Sequence, residues 1–392
     1  MIEAMKKEIY LDNSATTPLS DAAKAKIAEA MEIYGNPSSL HSAGQSAEKL
    51  ISVARGQILA CLGVRRREDT LVFTSCGTEA TSLALFGTAF AKKRREAIRI
   101  LTTDSEHSSV TKAMDSLAEN GFEIVKIPTK KGTLDMTALE AALAKPIFLA
   151  SFMLVNNETG ARYAVEEAFG KIKERYPEAV THCDAVQGFM KIPFTPASLG
   201  ADLLTVSGHK LHAPKGVGAL YISGDMIKKK KIVPVLLGGG QESGWRSGTE
   251  NTLGIAAFGA AADDIRARRG EISEKMAELY DYAYGKLTAL GVKINQPASA
   301  RVSHIINVTV PNIKSETTLH FLSADGIFVS SGSACAAHSH KTSSTLLAFG
   351  LSAADADCSL RISFSEYSEK SDVDALVASL EGAMARLVRI KR

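Results

Sequence analysis

The chain has 392 residues, 45% of them hydrophobic and 23% charged, with a formal net charge of +3. That length favours two domains with a core large enough to bury most of the apolar surface, and the composition argues against disorder or low complexity. The small charge, with local basic runs such as residues 92–95 and 228–231 at element boundaries, argues against nucleic acid as a partner, and no stretch approaches the roughly 18 apolar residues of a membrane span.

The N-terminal MIEAMKKEIYLDNSATT has no apolar leader segment, so a soluble cytoplasmic protein is expected. Five cysteines (Cys61, Cys76, Cys183, Cys335 and Cys358) lie scattered without CxxC pairing. An odd number cannot all pair within one chain, which fits a reduced compartment and leaves at least one thiol free to react.

Between about residues 70 and 222, short apolar runs alternate with segments of helical period. The runs are TLVFTS, IRILTT, FEIVKIP, IFLASFML, AVTHCDA and ADLLTVS, followed by VGALYIS. Near-continuous apolar runs separated by helices predict a mainly parallel sheet covered on both faces, an α/β domain of the open, doubly wound kind. After the glycine-rich GGGQESGWRSGTEN the strands become sparser (SHIINVTV, GIFVSS, SLRISFS), with helices between them. This predicts a smaller α+β domain. The expected division is 15–258 for the large domain and 259–392, with 1–14, for the small one; no internal repeat is found.

Ligands of open α/β sheets sit beyond the carboxyl ends of the strands. The polar residues there are Ser75, Cys76, Gly77 and Thr78 after the first run, Glu106 and His107 after the second, Asn156 and Asn157, then Asp184 and Gln187, and finally Ser207, Gly208, His209 and Lys210. Gly77 permits close backbone approach and Thr78-Glu79 opens a helix, so this junction reads as a phosphate cradle or as a simple N-cap. No GxxxxGK[ST] is present and GxGxxG is missing from the first strand–helix junction, which leaves the usual nucleotide loops unsupported. Asp184 reads as a helix cap or as the partner of a protonated ring nitrogen; His107 reads as a core histidine or as a flat platform against a ring. Taken together, an anion cradle, a buried acid, an imidazole and Lys210 form the set that pyridoxal phosphate requires, with Lys210 as the Schiff-base amine. Gly208, Gly216 and Gly218 would leave the backbone room.

Nine segments in the same order resemble the cysteine desulfurases of the NifS/IscS type. They are DNSATT (12–17), GNPSSLH (35–41), SCGTEA (75–80), EH (106–107), NNETG (156–160), DAVQG (184–188), SGHKLHAPKGVGAL (207–220), RSGTEN (246–251) and SSGSAC (330–335). These enzymes belong to the class V aminotransferases of pyridoxal phosphate fold type I, and the similarity runs from about residue 9 to 365. SGHK preceded by DAxQ is specific for the superfamily, and SSGSAC for this branch rather than the SufS-like one. The resemblance implies Lys210 as cofactor lysine, Asp184 as partner of the pyridine nitrogen, His107 stacked on the ring and able to move protons, and Gln187 as donor to the phenolic oxygen. It implies Gly77, Thr78, Ser207 and His209 around the phosphate, Thr249 reaching the phosphate of a partner subunit in a homodimer, and Asn157 and Arg361 holding the substrate. A guanidinium suits that last task because it binds a carboxylate bidentately.

Cys335 is the deciding residue. It lies in GSACAAHSHKTSS, a small, polar stretch expected to form a mobile loop. Only a few per cent of an ordinary thiol is thiolate at neutral pH, and His338, His340 and Lys341 are the neighbours able to raise that fraction. The CxxH and HxH spacings lack a second pair of ligands, so no metal is expected. The implied reaction converts L-cysteine to L-alanine and leaves a persulfide on Cys335. Selenocysteine lyase and a class V aminotransferase are the alternatives on this scaffold, and an aminotransferase would not need Cys335. A non-catalytic relay of the same fold would not be expected to keep Lys210, Asp184, His107 and Cys335 together.

Ser14, Cys76 and Thr159 depart from the commonest motif. Ser14 and Thr159 are expected in the pocket lining and Cys76 as a buried structural thiol. Relatives that serve a general iron–sulfur scaffold often carry a longer tail than MARLVRIKR. The sulfur acceptor is therefore left open between cluster assembly, tRNA thiolation and another carrier.

Overall fold

The computed structural model describes residues 8–91, 98–331 and 342–387. Each of the seven apolar runs between 70 and 223 forms a strand: β2 (Thr70–Thr74), β3 (Arg99–Thr103), β4 (Glu123–Ile127), β5 (Leu149–Met153), β6 (Val180–Asp184), β7 (Leu203–Ser207) and β8 (Gly218–Ile222), after a short β1 at Ile9–Tyr10. They make one sheet in the order β2-β8-β7-β6-β5-β3-β4. All pairings are parallel except those of β8, which runs antiparallel to both β2 and β7. The segment between β7 and β8 is too short for the helical crossover a parallel pair requires, so the chain folds straight back.

Alternate residues of these strands enter different cores, as a period of two requires. Leu71, Phe73, Ala150, Phe152, Leu204 and Tyr221 pack on one face. Val72, Leu149, Leu203, Leu220 and Ile222 pack on the other, against the helices at Gly77–Ala91 and Ser108–Glu119. With both faces covered, β5 to β8 are buried along their whole length. The apolar runs are therefore continuous.

The second layer is antiparallel: β9 (Lys293–Ile294), β10 (Ile305–Thr309), β12 (Ser330–Ser331) and β13 (Ser359–Ser363) pair in the order β12-β13-β10-β9. The single strand expected at 326–331 is divided, because β11 (Ile327–Phe328) pairs with β1 whereas β12 pairs with β13. A separate cluster holds this unit together, drawing Leu11 from the N-terminus, Met276 to Leu287 from the helix Arg269–Ala289, and Leu376 and Leu380 from Lys370–Arg386. The helix Thr252–Ala267 instead buries Phe258, Ala261 and Ile265 in the large cluster. We propose that the units divide at Arg268, after this helix, with the N-terminal residues before Ala15 belonging to the small unit. Among the described residues no helix is long and apolar enough to cross a membrane.

Phe152 is fully buried and stacks on Phe169 with ring centroids 5.6 Å apart. Phe152→Ala is expected to destabilise the fold by about 3–5 kcal/mol. In urea unfolding this would lower the midpoint while leaving the slope unchanged.

Candidate active site

The carboxyl ends of β2, β3, β5, β6 and β7 open onto one cavity of about 330 Å³. Asp184 is the last residue of β6, the middle strand of the sheet, and is 6% exposed. Its Oδ1 accepts from the Val186 N–H at 3.0 Å. Burial pushes its carboxyl above the usual carboxylate range, and the positive charges of His107 and Lys210 pull against that shift. Such a group calls for a cation in the cavity.

Lys210 ends the single turn Gly208–Lys210 that follows β7. Its Nζ donates to the carbonyl oxygens of Ser14 and, at 2.7 Å, of Ala15. Gln187 reaches the same region, its Nε2 donating to the Ser14 carbonyl at 3.0 Å. His107 follows β3 and caps the helix behind it, with Nδ1 accepting from the Ser109 N–H at 3.2 Å. Burial, more than any charge, lowers its basicity. His107 also lines the cavity.

The anion cradle is assembled from two strand ends. Gly77 and Thr78 start the helix Gly77–Ala91 at the cavity wall, so its unpaired N–H groups face the space. A Cβ on Gly77 would meet Val186 Cγ2 at 3.2 Å and Ser207 Cβ at 3.3 Å, so a side chain there would crowd the cradle. Gly218 is tighter still, its Cβ falling 2.5 Å from the Cys76 carbonyl carbon. Ser207 Oγ is buried and has no hydrogen-bond partner among the described residues, and His209 lines the same wall. An unpaired buried hydroxyl beside a helix N-terminus is suited to a phosphate oxygen.

Asn157 and Arg361 enter from opposite units. Arg361, on β13, donates from Nη1 to the Asn157 carbonyl at 2.9 Å and from Nη2 to Asp12 Oδ1 at 2.8 Å. Its Nε is buried without a partner among the described residues. The guanidinium is thus held at the cavity edge, with its Nε–H and the second N–H of each terminal nitrogen not used in these two bonds.

Two expected residues are placed elsewhere. Thr249 lines a separate small cavity with Ser75, Arg246 and Glu250. Cys335, with His338, His340 and Lys341, lies outside the described residues. Two expectations are corrected. Cys76 is half-buried and lines the cavity, because the turn into the helix Gly77–Ala91 leaves it at the wall rather than in a core. Thr159 does not line the cavity. Its hydroxyl donates to Asn156 Oδ1 at 3.1 Å and locks the turn after β5. Ser14 does line the cavity, as expected, with a buried and unpartnered Oγ. The sequence reading missed Asp12, Ala15, Glu158 and Lys191; Lys191 stands one helical turn after Gln187, the only signal that could have drawn attention to it.

With this geometry in place, the comparisons with known proteins are direct. Residues 9–376 match the profile of the aminotransferase class-V family. The chain is 36% identical over 382 residues to cysteine desulfurase 2 of Trichormus variabilis, covering 97% of this chain and 94% of that one. It is 37% identical over 391 residues to the cysteine desulfurase IscS of Dictyoglomus turgidum, covering 98% and 96%. A solved NifS-like protein superposes with a TM-score of 0.89 at 33% identity, over 97% of this chain and all of that one. The fold is that of a fold type I enzyme. The chain belongs to the class-V aminotransferase family, in its cysteine desulfurase branch.

His182, two residues before Asp184, is a histidine that stays in the core, bonded to Ser151 Oγ at 2.8 Å and Thr205 Oγ1 at 3.0 Å. Burial lowers its pKa from 6.5 to about 3. As pH falls below 6.5 the unfolded chain takes up a proton that the folded protein refuses until about 3, so stability is lost across that window. The loss approaches ~1.4 kcal/mol per pH unit from this group. Urea unfolding at pH values stepped through the window should show a shallower loss for His182→Gln than for the parent.

Proposed function

We propose that the protein takes sulfur from L-cysteine, releases L-alanine and holds the sulfur as a persulfide on Cys335 for transfer to an acceptor, with pyridoxal 5'-phosphate as its cofactor. The observation that carries this reading is the convergence of Lys210, Asp184 and His107 with an anion cradle on one cavity. The residues fit the cofactor: the unpaired Ser207 hydroxyl and the helix N-terminus at Gly77 and Thr78 suit its phosphate, with His209 beside them. The buried Asp184 suits its protonated ring nitrogen, and Gln187 suits its phenolic oxygen. When bound, pyridoxal phosphate supplies a carbonyl that captures amines and a ring that withdraws electrons from the substrate's α-carbon.

The chain's own groups do the rest. Lys210 binds the cofactor covalently and, once released, accepts the α-proton on Nζ, with the Ser14 and Ala15 carbonyls there to receive its N–H groups. Arg361 and Asn157 orient the substrate carboxylate. His107 covers the ring and is placed to relay a proton. The Cys335 thiolate forms an S–S bond as the substrate's C–S bond breaks. Ser331, four residues before Cys335, lines the cavity, and four extended residues span about 14 Å at most. The thiol is therefore tethered within reach of the site.

The proposed assembly is a homodimer. Tyr34 and Leu40 are each 92% exposed and Leu237 is 77% exposed, so these apolar side chains are available to a second copy. Thr249, placed away from this chain's own cavity, is then available to the partner's. The sulfur acceptor is a separate protein, and the compartment is the cytoplasm.

The test is alanine and sulfide released from L-cysteine by the cofactor-loaded protein. Lys210→Ala and Cys335→Ser are each expected to lose at least about a hundredfold in rate. Parent-level release by Cys335→Ser would replace the persulfide route with another lyase chemistry.

A further inference from the structure

A second cavity, of about 190 Å³, lies between the two units and shares Lys210 with the first. Lys191 lines it, from the turn that follows Gln187. Its Nζ donates to Gln187 Oε1 at 3.4 Å, and this is its hydrogen-bond partner among the described residues. The same carboxamide donates through Nε2 to the Ser14 carbonyl oxygen, which also accepts from Lys210 Nζ. The two amines are thus joined in a short chain running Lys191, Gln187, Ser14, Lys210.

A carboxamide has two faces of opposite character, an acceptor oxygen and a donor NH₂, and the bonds around it decide which way it points. Rotated by half a turn, Gln187 would set its oxygen against the Ser14 carbonyl and its NH₂ against Lys191. Lys191 opposes that rotation in its protonated form, whose three N–H groups offer the NH₂ no acceptor. Burial pushes its pKa down to about 7, with Lys210 and then Arg361 acting in the same direction and Glu366 opposing. Glu366 is itself occupied by Arg268 at 3.1 Å and faces His212 at 3.3 Å. The cavity therefore leaves Lys191 to the carboxamide.

We propose that Lys191 is a positioning residue: its Nζ holds the Gln187 carboxamide with the NH₂ turned toward Ser14 and the cofactor's phenolic oxygen. The proposal rests on the cofactor reading given above. Loss of Lys191 removes one of the two contacts that orient the carboxamide, leaves Ser14 alone to hold it and weakens donation to the phenolic oxygen, which raises the proton affinity of the Schiff-base nitrogen beside it.

The experiment is the pH titration of the bound cofactor's absorbance in the loaded protein, with Lys191→Met, Lys191→Arg, Gln187→Leu and the double variant Lys191→Met/Gln187→Leu. Lys191→Met is expected to move the midpoint upward by about half a unit or more. Lys191→Arg, which keeps N–H donors, is expected to stay near the parent. The double variant is expected to move no further than Gln187→Leu alone, because the first substitution acts through the second residue. An unchanged midpoint in Lys191→Met, or shifts that add in the double variant, would overturn the proposal. Should Lys191→Met fail to fold, Lys191→Leu is read in its place, and loss of the upward shift there is equally fatal. A protein that binds no pyridoxal phosphate at all defeats the cofactor reading instead, so the two failures are told apart.

Discussion

A carboxylate at the end of the central strand is the constraint around which the site is organised. Asp184 closes β6, with three strands on either side of it, and is 6% exposed. An ionised carboxylate in such a place costs several kcal/mol unless cations and donors surround it. The neighbouring Glu106 is buried more simply. It accepts from Thr103 Oγ1 at 2.7 Å and the Met153 N–H at 2.9 Å, and burial pushes its pKa up to about 8. At neutral pH it therefore holds a proton. Asp184 is likewise pushed up by burial, but His107 and then Lys210 act against its shift.

Lys210 depends in turn on a segment from the far end of the chain. Residues 12–17 run between the units: Asn13 Nδ2 donates to the Ser363 carbonyl at 3.0 Å, and the Ser14 N–H donates to Ser363 Oγ at 2.9 Å. At the other end, the Thr17 N–H and hydroxyl both donate to the His209 carbonyl at 3.0 Å. The carbonyls of Ser14 and Ala15, between these anchors, receive the Lys210 amine. One strip of backbone thus fixes the small unit's sheet and the amine of the large unit together. Its placement follows from hydrogen bonds that cannot be read from local sequence.

What the sequence revealed follows from where the information lies. The strands β2 to β8 are legible because both faces are buried and the apolar runs are continuous. The residues just past them are legible because α/β topology brings strand ends together. The two-residue strands β1 and β9 carry no periodicity of their own, and the division of 326–331 depends on which partners lie on each side. Asp12, Ala15 and Lys191 act through a backbone carbonyl or through another residue, so their side-chain types gave no sign of it. Cys76 was misplaced because apolar neighbours in sequence suggest burial even where a turn points the side chain at a cavity wall. Thr159 was placed in the lining by resemblance, whereas its hydroxyl is consumed by the turn.

That turn settles how the two units meet. After β5, residues 156–161 fold around Asn156, whose Oδ1 accepts from the N–H groups of Glu158 and Thr159 at 3.0 and 2.9 Å. Gly160 takes a φ of +72°, and a Cβ there would stand 3.1 Å from Ile305 of the small unit, so only glycine permits the approach. The turn then receives three donors: Arg361 Nη1 on the Asn157 carbonyl, Asn307 Nδ2 on the Glu158 carbonyl at 3.1 Å, and Ser343 Oγ on Glu158 Oε2 at 2.7 Å. Arg361 is the proposed anchor of the substrate carboxylate. Ser343 lies just beyond the segment that carries Cys335, and Ser331, just before it, is paired through β12 to β13. One end of that segment is thus tied to the large unit and the other to the small one. Substrate position and the span available to the thiol are consequently set by the same turn, so the two halves of the proposed reaction are geometrically linked through residues 156–161.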